Sequence, residues 1–212
     1  MTCSHCQGAE KTFDKGMAEG DLRDYHRKGP GKTARLLIGA LEAGGIQGTT
    51  LLDIGGGVGV IQHELLKNGA SNAIHVDASS AYLQAARQEA ERQGHADRIT
   101  QVHGDFVDLA PQIPQADVVT LEKVICCYPD MHALVGLSSA RAGKLYGVVF
   151  PRDTWWMKLG MQIINLFQRL RRDSFRFFVH PTQEVEAVVR ANGFERRFYR
   201  KTPFWQVIVY AR

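Results

Sequence analysis

The feature that most constrains the fold of this chain is the glycine-rich stretch DIGGGVG at residues 53–59. It follows an apolar run at residues 49–52, which is typical of a buried strand, and precedes residues 60–68, which are compatible with a helix. In an open α/β sheet, this order of elements presents a ligand at the carboxyl end of the first strand. Glycine is needed in the turn because a side chain would hold the backbone away from the ligand.

The spacing of these glycines excludes a dinucleotide fingerprint. A G-x-G-x-x-G pattern that starts at Gly55 requires a glycine at position 60, but that position is Val60 and the last glycine is Gly59. Asp53, beside the turn, would repel a pyrophosphate, whereas it suits a ligand that carries an ammonium group. We therefore expect a ligand other than NAD.

The next predicted strands also lead into carboxylates. Residues 73–76 end at Asp77, about 20 residues beyond the glycines, where a carboxylate can accept both hydroxyls of a ribose. Residues 98–103 lead into Gly104 and Asp105, and residues 116–124 contain Glu122 and open onto the sequence ICCYPD. Three carboxylates in such positions are hard to obtain by chance.

Together, these motifs resemble those of class I S-adenosylmethionine-dependent methyltransferases over residues 49–130. The resemblance implies a Rossmann-like α/β fold with seven strands, helices on both faces and a C-terminal antiparallel hairpin. It also implies S-adenosylmethionine as cofactor and S-adenosylhomocysteine as product, with Asp105 at the adenine amino group and Phe106 beside the ring. The predicted cofactor-binding residues are Asp53, Gly55, Gly56, Gly57, Gly59, Asp77, Ala78, Gly104, Asp105, Phe106, Leu121, Glu122 and Tyr25.

The rest of the chain continues the α/β alternation in one domain. Ser79 or Ser80 is expected to cap a helix over residues 82–93. Beyond it we predict a helix over residues 131–142, a fifth strand over 145–150, a helix over 181–192, and strands over 194–199 and 204–210. The domain accordingly divides into an N-terminal helical cap (residues 1–48), a cofactor-binding core (49–150), a lid or substrate insertion (151–180) and a closing helix with hairpin (181–212).

The lid is predicted from an amphipathic pattern at residues 154–172. Apolar side chains recur on one helical face, at Trp155, Leu159, Ile163, Leu166 and Leu170. From residue 161 to the end, ten Lys and Arg outnumber four Asp and Glu. This excess can attract an acidic small molecule, an anionic membrane surface or nucleic acid, or can simply be solvated. We favour a mobile lid whose apolar face covers an acidic acceptor.

The loop after the fourth strand supplies the candidate catalytic residues. VICCYPD, together with the later FFVHP, resembles the pattern of magnesium-protoporphyrin O-methyltransferases, although Cys127 stands where that family typically has a histidine. His180 matches the histidine of those enzymes that precedes a late helix. Since an oxygen acceptor must lose a proton, the candidates are Tyr128, His132, Cys127 and His180.

Composition and cysteine pattern narrow the remaining classes. With 212 residues, 44% hydrophobic and 23% charged, the chain suits one globular domain. It has no apolar run of about 18 residues for a membrane span, and the basic and apolar layout of a signal peptide is absent from its start, so we expect a cytoplasmic protein. Cys3 and Cys6 could pair with Cys126 and Cys127 around zinc, but no second C-x-x-C exists, and we predict no metal site.

These observations predict a methyltransferase acting on a small molecule, at oxygen, without a nucleic-acid partner. The oligomeric state stays open. Three alternatives remain: an enzyme for arsenic or another metalloid, which would use the cysteines; an enzyme for RNA or protein, although the Asn/Asp-Pro-Pro-aromatic motif used for planar amines is absent; and a non-catalytic cofactor-binding module.

Overall fold

The apolar runs of the sequence form the strands of one sheet. The computed structural model describes residues 8, 10–171 and 175–212. Its strands are β1 (Thr50–Ile54), β2 (Asn72–Asp77), β3 (Ile99–His103), β4 (Ala116–Glu122), β5 (Ala142–Pro151), β6 (Glu195–Lys201) and β7 (Trp205–Ala211). They lie in the order β3-β2-β1-β4-β5-β7-β6. The first five in this order are parallel, and β7 is antiparallel to both of its neighbours, β5 and β6. The predicted seven-stranded sheet and closing hairpin are confirmed.

Eight helices with complete bounds in the described part of the chain connect and cover these strands. They are α1 (Lys15–Lys28), α2 (Lys32–Ala43), α3 (Val60–Lys67), α4 (Ser80–Gln93), α5 (Phe106–Leu109), α6 (Met131–Ala140), α7 (Trp155–Leu170) and α8 (Thr182–Ala191). The side chains of Asp14, Ser79, Asp105 and Asp130 each accept a backbone N–H in the first turn of α1, α4, α5 and α6, which explains where these helices begin. By length and hydropathy, every helix in the described residues falls short of a membrane span.

Two hydrophobic clusters lie on opposite faces of the sheet, because successive strand residues point to opposite sides. Leu51 packs in the cluster that contains α2 and α3, whereas Leu52 packs in the cluster that contains α6 and α8. Adjacent residues of β4, Val118 and Val119, divide in the same way. The helices on both faces are therefore those expected of the predicted fold.

Several predicted boundaries were wrong, and tertiary pairing explains most of the differences. Strand β5 begins at Ala142, where the sequence predicted the end of a helix, because Ala142 pairs with Ala116 of β4. Strand β4 stops at Glu122 instead of residue 124, since Lys123 takes a left-handed conformation with a φ of 62°. The bounds of helix α1 were not predicted within the expected helical cap, because the helix buries only Ala18 and Tyr25, too few apolar positions to produce a helical period.

Candidate active site

A cavity of about 630 Å³ lies at the carboxyl ends of the parallel strands, where the order of strands reverses between β1 and β4. This is the position at which open α/β sheets bind ligands, and the volume falls within the roughly 300–1,000 Å³ typical of small-molecule sites. Most of the predicted site residues meet here. Those that line the cavity are Tyr25, Asp53, Gly55, Gly56, Gly57, Asp77, Ala78, Gly104, Asp105, Phe106, Glu122, Cys127 and Tyr128.

The glycine-rich turn forms one wall of the cavity and leaves no room for side chains. Gly55 has a φ of 61°, and a Cβ placed on it would lie 2.5 Å from Cγ2 of Val124. A Cβ on Gly56 would lie 2.5 Å from Oδ2 of Asp53 and 2.9 Å from Cδ2 of His75. Because both distances fall well below van der Waals contact, the turn can hold this shape only with glycine at these positions.

Asp53 lies inside β1, which continues to Ile54, and its side chain is almost fully buried. Oδ1 accepts a hydrogen bond from Thr120 Oγ1 at 2.7 Å, whereas Oδ2 has no hydrogen-bond partner among the described residues. Burial raises the pKa of this carboxyl to about 6. A buried carboxylate oxygen without a donor is costly, so this site favours a cationic or hydrogen-bond-donating ligand.

Asp77 ends β2 and shapes the neighbouring part of the wall. Its Oδ2 accepts the N–H of Gly57 at 3.1 Å, and its Oδ1 accepts the N–H of Ser79 at 2.8 Å. Since a carboxylate has about four lone-pair sites, two backbone donors leave capacity for further donors from the cavity. Asp77 therefore both supports the glycine turn and offers acceptors for a diol.

Asp105 and Tyr128 join the third and fourth strand ends across the cavity. The Tyr128 hydroxyl donates to Asp105 Oδ2 at 2.9 Å and lies 3.1 Å from Oδ1. Asp105 Oδ1 also accepts the N–H of Val107 and so caps α5, which begins with the buried Phe106. This contact places a predicted cofactor residue and a predicted catalytic residue in one hydrogen-bonded pair.

Residues of helices α1 and α2 and of the loop between them line the cavity. Tyr25 lines the cavity and donates its hydroxyl to Glu64 Oε1 at 2.6 Å. Thr33 donates to Glu122 Oε1 at 2.6 Å and thereby fixes the start of α2 to the end of β4. Lys32 also lines the cavity. Sequence reasoning overlooked the Thr33 contact, which joins residues 89 positions apart.

Further lining residues were overlooked because their contacts are also distant in sequence. Tyr82 lines the cavity and donates its hydroxyl to Asp21 of α1 at 2.6 Å. The lining also contains Phe13 and the fully buried Phe175, whose rings meet edge to face with centroids 5.4 Å apart. Aromatic residues in the sequence carried no signal that would have assigned them to this site.

Two predicted cofactor residues lie outside the cavity lining. Gly59 is the N-cap of α3, with a φ of 85°, and a Cβ there would lie 2.3 Å from Nε2 of Gln62. Leu121 is fully buried in the core on the face that packs α6. Gly59 therefore supports the start of α3, and Leu121 points to the core because neighbouring residues of a strand alternate in direction.

Two predicted catalytic histidines also lie outside the lining. His132 is exposed at the start of α6, with Nε2 3.9 Å from Oε2 of Glu184. His180 is half-buried and bonds through Nε2 to the backbone carbonyl of Tyr128 at 3.0 Å. Burial lowers the pKa of His180, which favours the neutral ring. The structure thus places His180 as a support for the Tyr128 backbone and leaves His132 on the surface.

Cys127 lines the cavity, next to the buried Cys126. The two sulfur atoms are 3.7 Å apart. The hydrogen bond with Cys126, together with burial, raises the pKa of the Cys127 thiol. A protonated thiol is a poor nucleophile and a poor metal ligand. Among the residues that the structure describes, no group of three or more His, Cys, Asp or Glu could hold a metal ion, and Cys3 and Cys6 lie outside those residues.

The predicted lid contains a helix that does not reach the cavity. Of the predicted lid residues 154–172, Trp155–Leu170 form α7. Arg172 lies outside the described residues. Within this helix no residue lines the cavity, and the predicted apolar face, Trp155, Leu159, Ile163, Leu166 and Leu170, is exposed. The expectation that this face covers the acceptor therefore does not fit the structure, in which Phe175, beyond the helix, supplies the lining residue.

Residues 51–141 match a family described as a methyltransferase domain. Among curated proteins, the chain is 30% identical to the ribosomal protein L11 methyltransferases of Edwardsiella ictaluri over 143 residues and of Escherichia coli over 146 residues. Each match covers 64% of this chain and 46% of the relative. The chain thus matches less than half the length of these relatives.

Solved structures with the same architecture cover nearly the whole chain. Magnesium protoporphyrin IX methyltransferase from Synechocystis PCC 6803, crystallised with bound S-adenosylhomocysteine, gives a TM-score of 0.72 at 20% identity and covers 96% of this chain and 95% of that one. An O-methyltransferase family protein from Burkholderia thailandensis gives a TM-score of 0.71 at 16% identity, with coverages of 96% and 62%. At these identities the likeness establishes the fold.

Proposed function

We propose that this chain, which carries a class I S-adenosylmethionine-dependent methyltransferase domain, transfers a methyl group to an oxygen atom of a small molecule. The observation that carries the proposal is the single cavity, in which the carboxylates and glycines of β1 and β2 face the ICCYPD loop after β4. One enclosed site would then hold both reactants, as methyl transfer requires.

The residues present fit S-adenosylmethionine. Asp53, with its unpartnered Oδ2, would face the ammonium group, and Asp77 would accept the two ribose hydroxyls. Asp105 and Phe106 would meet the adenine, while the glycine turn allows close approach of the backbone. When bound, the cofactor supplies a methyl group that is already activated on a sulfonium.

The chain's own residues then have to orient the acceptor and exclude water. Tyr128 donates its proton to Asp105, and a hydroxyl that donates to a carboxylate becomes a stronger hydrogen-bond acceptor. We therefore assign Tyr128 the orientation of the acceptor hydroxyl, whose hydrogen bond it accepts, while the hydroxyl proton leaves to bulk solvent as the methyl group is transferred. Phe13 and Phe175 contribute apolar surface that would keep water from this part of the cavity.

A small acceptor is favoured by the cover over the site. The cavity is lined by residues of helix α1, of the segment 29–35 and by the pair Phe13 and Phe175. These segments restrict access by a macromolecular acceptor more than an uncovered sheet edge would.

Protein methylation is the second candidate, and the likeness to ribosomal protein L11 methyltransferases favours it. That likeness leaves more than half of each relative unmatched. A catalytic core can be shared by enzymes with unrelated acceptors. We therefore rank this function below small-molecule methylation.

Calorimetry with S-adenosylhomocysteine tests the cofactor half of the proposal. Charged hydrogen bonds are worth about 1.5–3 kcal/mol, so Asp77→Ala should lower affinity roughly 10- to 100-fold. The exposed Asp97 of residues 96–98 supplies the matched control, since Asp97→Ala removes a carboxylate far from the cavity lining and should leave affinity unchanged. Absence of binding by the folded wild type would refute the proposal.

Mass spectrometry of reactions with a panel of phenols, carboxylic acids and peptides tests the acceptor half. Methylation of an acidic phenol or a carboxylate supports the proposal, and its dependence on Tyr128 links the activity to this cavity. Methylation of a protein substrate alone would contradict the proposal and would favour protein methylation as the function. Cofactor binding without turnover on any acceptor class would instead indicate a binding module.

A further inference from the structure

Helix α7 exposes a long apolar stripe, which we define as Trp155, Leu159, Ile163, Leu166 and Leu170. Trp155 and Leu170, at its two ends, are 76% and 72% exposed. Trp156, Ile164 and Phe167 widen it, and Phe204 extends it through an edge-to-face contact with Trp156. Within α7 only Met157 is buried. Such a large contiguous apolar surface usually marks a contact with a partner or a membrane.

The orientation of α7 is fixed by its opposite side. Asn165 donates to the carbonyl of Phe177 at 2.7 Å and accepts the N–H of Phe177 at 2.9 Å. Residues 157, 161, 165 and 168 fall on one face at helical spacing, and this face lies toward the protein. The α7 apolar stripe therefore points away from the body of the protein, along a helix about 24 Å long.

The charges around this stripe have one sign. Residues 155–171 contain Lys158, Arg169 and Arg171 and no Asp or Glu. Lys158 and Arg169, with Gln162 between them, are exposed along one flank of the stripe, and all three follow helical spacing. An apolar face with Trp, Leu and Phe and a basic polar flank is the pattern of helices that lie in a membrane interface.

We propose that α7 binds flat on the surface of an anionic lipid bilayer. The α7 apolar stripe enters the boundary between headgroups and acyl chains, with Trp155 and Trp156 at the level of the headgroups. Lys158, Arg169 and Arg171 contact the anionic headgroups, and each long side chain can extend to them from the flank of the helix. This binding does not depend on the proposed reaction.

A second copy of the chain is a poorer occupant. If two α7 helices packed stripe to stripe, the same cations would flank both, and the described part of the helix offers no acidic side chain to pair with them. Like charges across an interface disfavour association. An anionic bilayer satisfies both the apolar stripe and its charge.

Co-sedimentation with vesicles tests this inference without any measurement of activity. Vesicles of phosphatidylcholine mixed with phosphatidylglycerol should bind the wild type at least tenfold more strongly than phosphatidylcholine alone, and added salt should weaken the binding. The double variant Leu166→Glu and Leu170→Glu should lose at least tenfold in binding with its melting temperature unchanged, because both side chains are exposed. Met17→Glu, at an exposed apolar position of α1, is the matched control and should bind like the wild type.

The charge contribution is tested by changing Lys158, Arg169 and Arg171 to Gln. At about fivefold per cation, this triple variant should bind anionic vesicles roughly 100-fold more weakly. If the double Glu variant binds anionic vesicles as strongly as the wild type does, or if the wild type does not bind vesicles, the proposal is wrong. A dimer in analytical ultracentrifugation that Leu166→Glu dissociates, without vesicle binding, would assign the stripe to a second copy instead.

Discussion

The two sides of the cavity are built from different kinds of contact. On the side proposed to bind the cofactor, the cofactor side, formed by Asp53, the glycine turn and Asp77, the supporting bonds join neighbouring strand ends: Gly55 N–H donates to Val76 at 2.7 Å, and Gly57 N–H donates to Asp77. On the side proposed to bind the acceptor, the acceptor side, formed by residues 123–128 and Phe175, they join distant segments. There Phe178 N–H donates to Cys126 at 2.7 Å, and His180 bonds to Tyr128.

This difference explains why one side has a sequence signature and the other does not. The cofactor side needs glycines and carboxylates at fixed positions beside strand ends, so their spacing can be recognised in the sequence. The acceptor side takes its shape from a segment some 50 residues further along the chain. The spacing of residues within either segment does not predict that contact. Substitutions on the two sides should accordingly damage different properties.

The largest effect is expected on the cofactor side, from Gly56→Ala. The added Cβ would lie 2.5 Å from the buried Oδ2 of Asp53, so the turn has to shift. Overpacking costs about 1–3 kcal/mol, and we expect a loss of S-adenosylhomocysteine affinity of roughly 100-fold. Calorimetry measures the loss of affinity, and thermal melting measures the loss of stability caused by overpacking. Gly39→Ala in α2, where a Cβ meets no atom within 4 Å, should leave affinity intact; normal binding by the Gly56 variant would contradict the assigned role of the turn.

On the acceptor side, Tyr128→Phe should lower kcat by about 100-fold while cofactor affinity stays nearly unchanged. The reason is that the hydroxyl contacts Asp105 across the cavity, whereas the ring still fills its place. His132→Ala is the matched control, because His132 is exposed outside the lining. Equal losses of affinity and kcat in the Tyr128 variant would mean that Tyr128 supports the cofactor side as well.

A smaller, pH-dependent effect is expected from Asp53→Asn. Burial raises the pKa of Asp53 to about 6, above its ordinary 3.8, so the carboxyl stabilises the fold most below about pH 4 and loses this contribution as pH rises through about 6. Asp53→Asn should therefore raise the free energy of unfolding of the ligand-free protein above about pH 6 by about 1–3 kcal/mol.

The same substitution tests the ligand. If Asp53 faces an ammonium group, wild-type affinity for S-adenosylhomocysteine should rise with pH through about 6, and the Asn variant should lack this rise. Calorimetry over a pH series measures both. A variant that keeps the full pH dependence would show that another group titrates.

The smallest effect is expected from Cys127→Ser, within about threefold in kcat, because the raised thiol pKa keeps Cys127 protonated and unreactive. Steady-state kinetics with the acceptor that the enzyme methylates measures this change in kcat. The same measurement on Cys126→Ser shows which of the two thiols is responsible for any effect. A much larger loss, or turnover of arsenite that needs Cys127, would favour metalloid chemistry.

The sequence predicted the sheet, the hairpin and most of the cofactor wall, since apolar runs, strand-end carboxylates and glycines are local signals. It offered Ser79 or Ser80 as the cap of a helix that ends at residue 93, and Ser79 is the observed cap of a helix that ends at Gln93. It also suggested His132, which lies exposed outside the cavity lining, because the direction of a helix that follows a loop depends on what that helix packs against.

By itself, the sequence determined that a glycine turn and strand-end carboxylates meet at one edge of a seven-stranded α/β sheet, because those features follow from backbone geometry and the alternation of apolar runs. Only the tertiary structure decided that Tyr128 bonds to Asp105, that Thr33 reaches Glu122, and that the apolar stripe of α7 faces outward. The amphipathic period of α7 is the same whether its apolar face covers a cavity or points to solvent. Its direction is set by the bonds between Asn165 and Phe177, a contact between separate segments that no local pattern encodes.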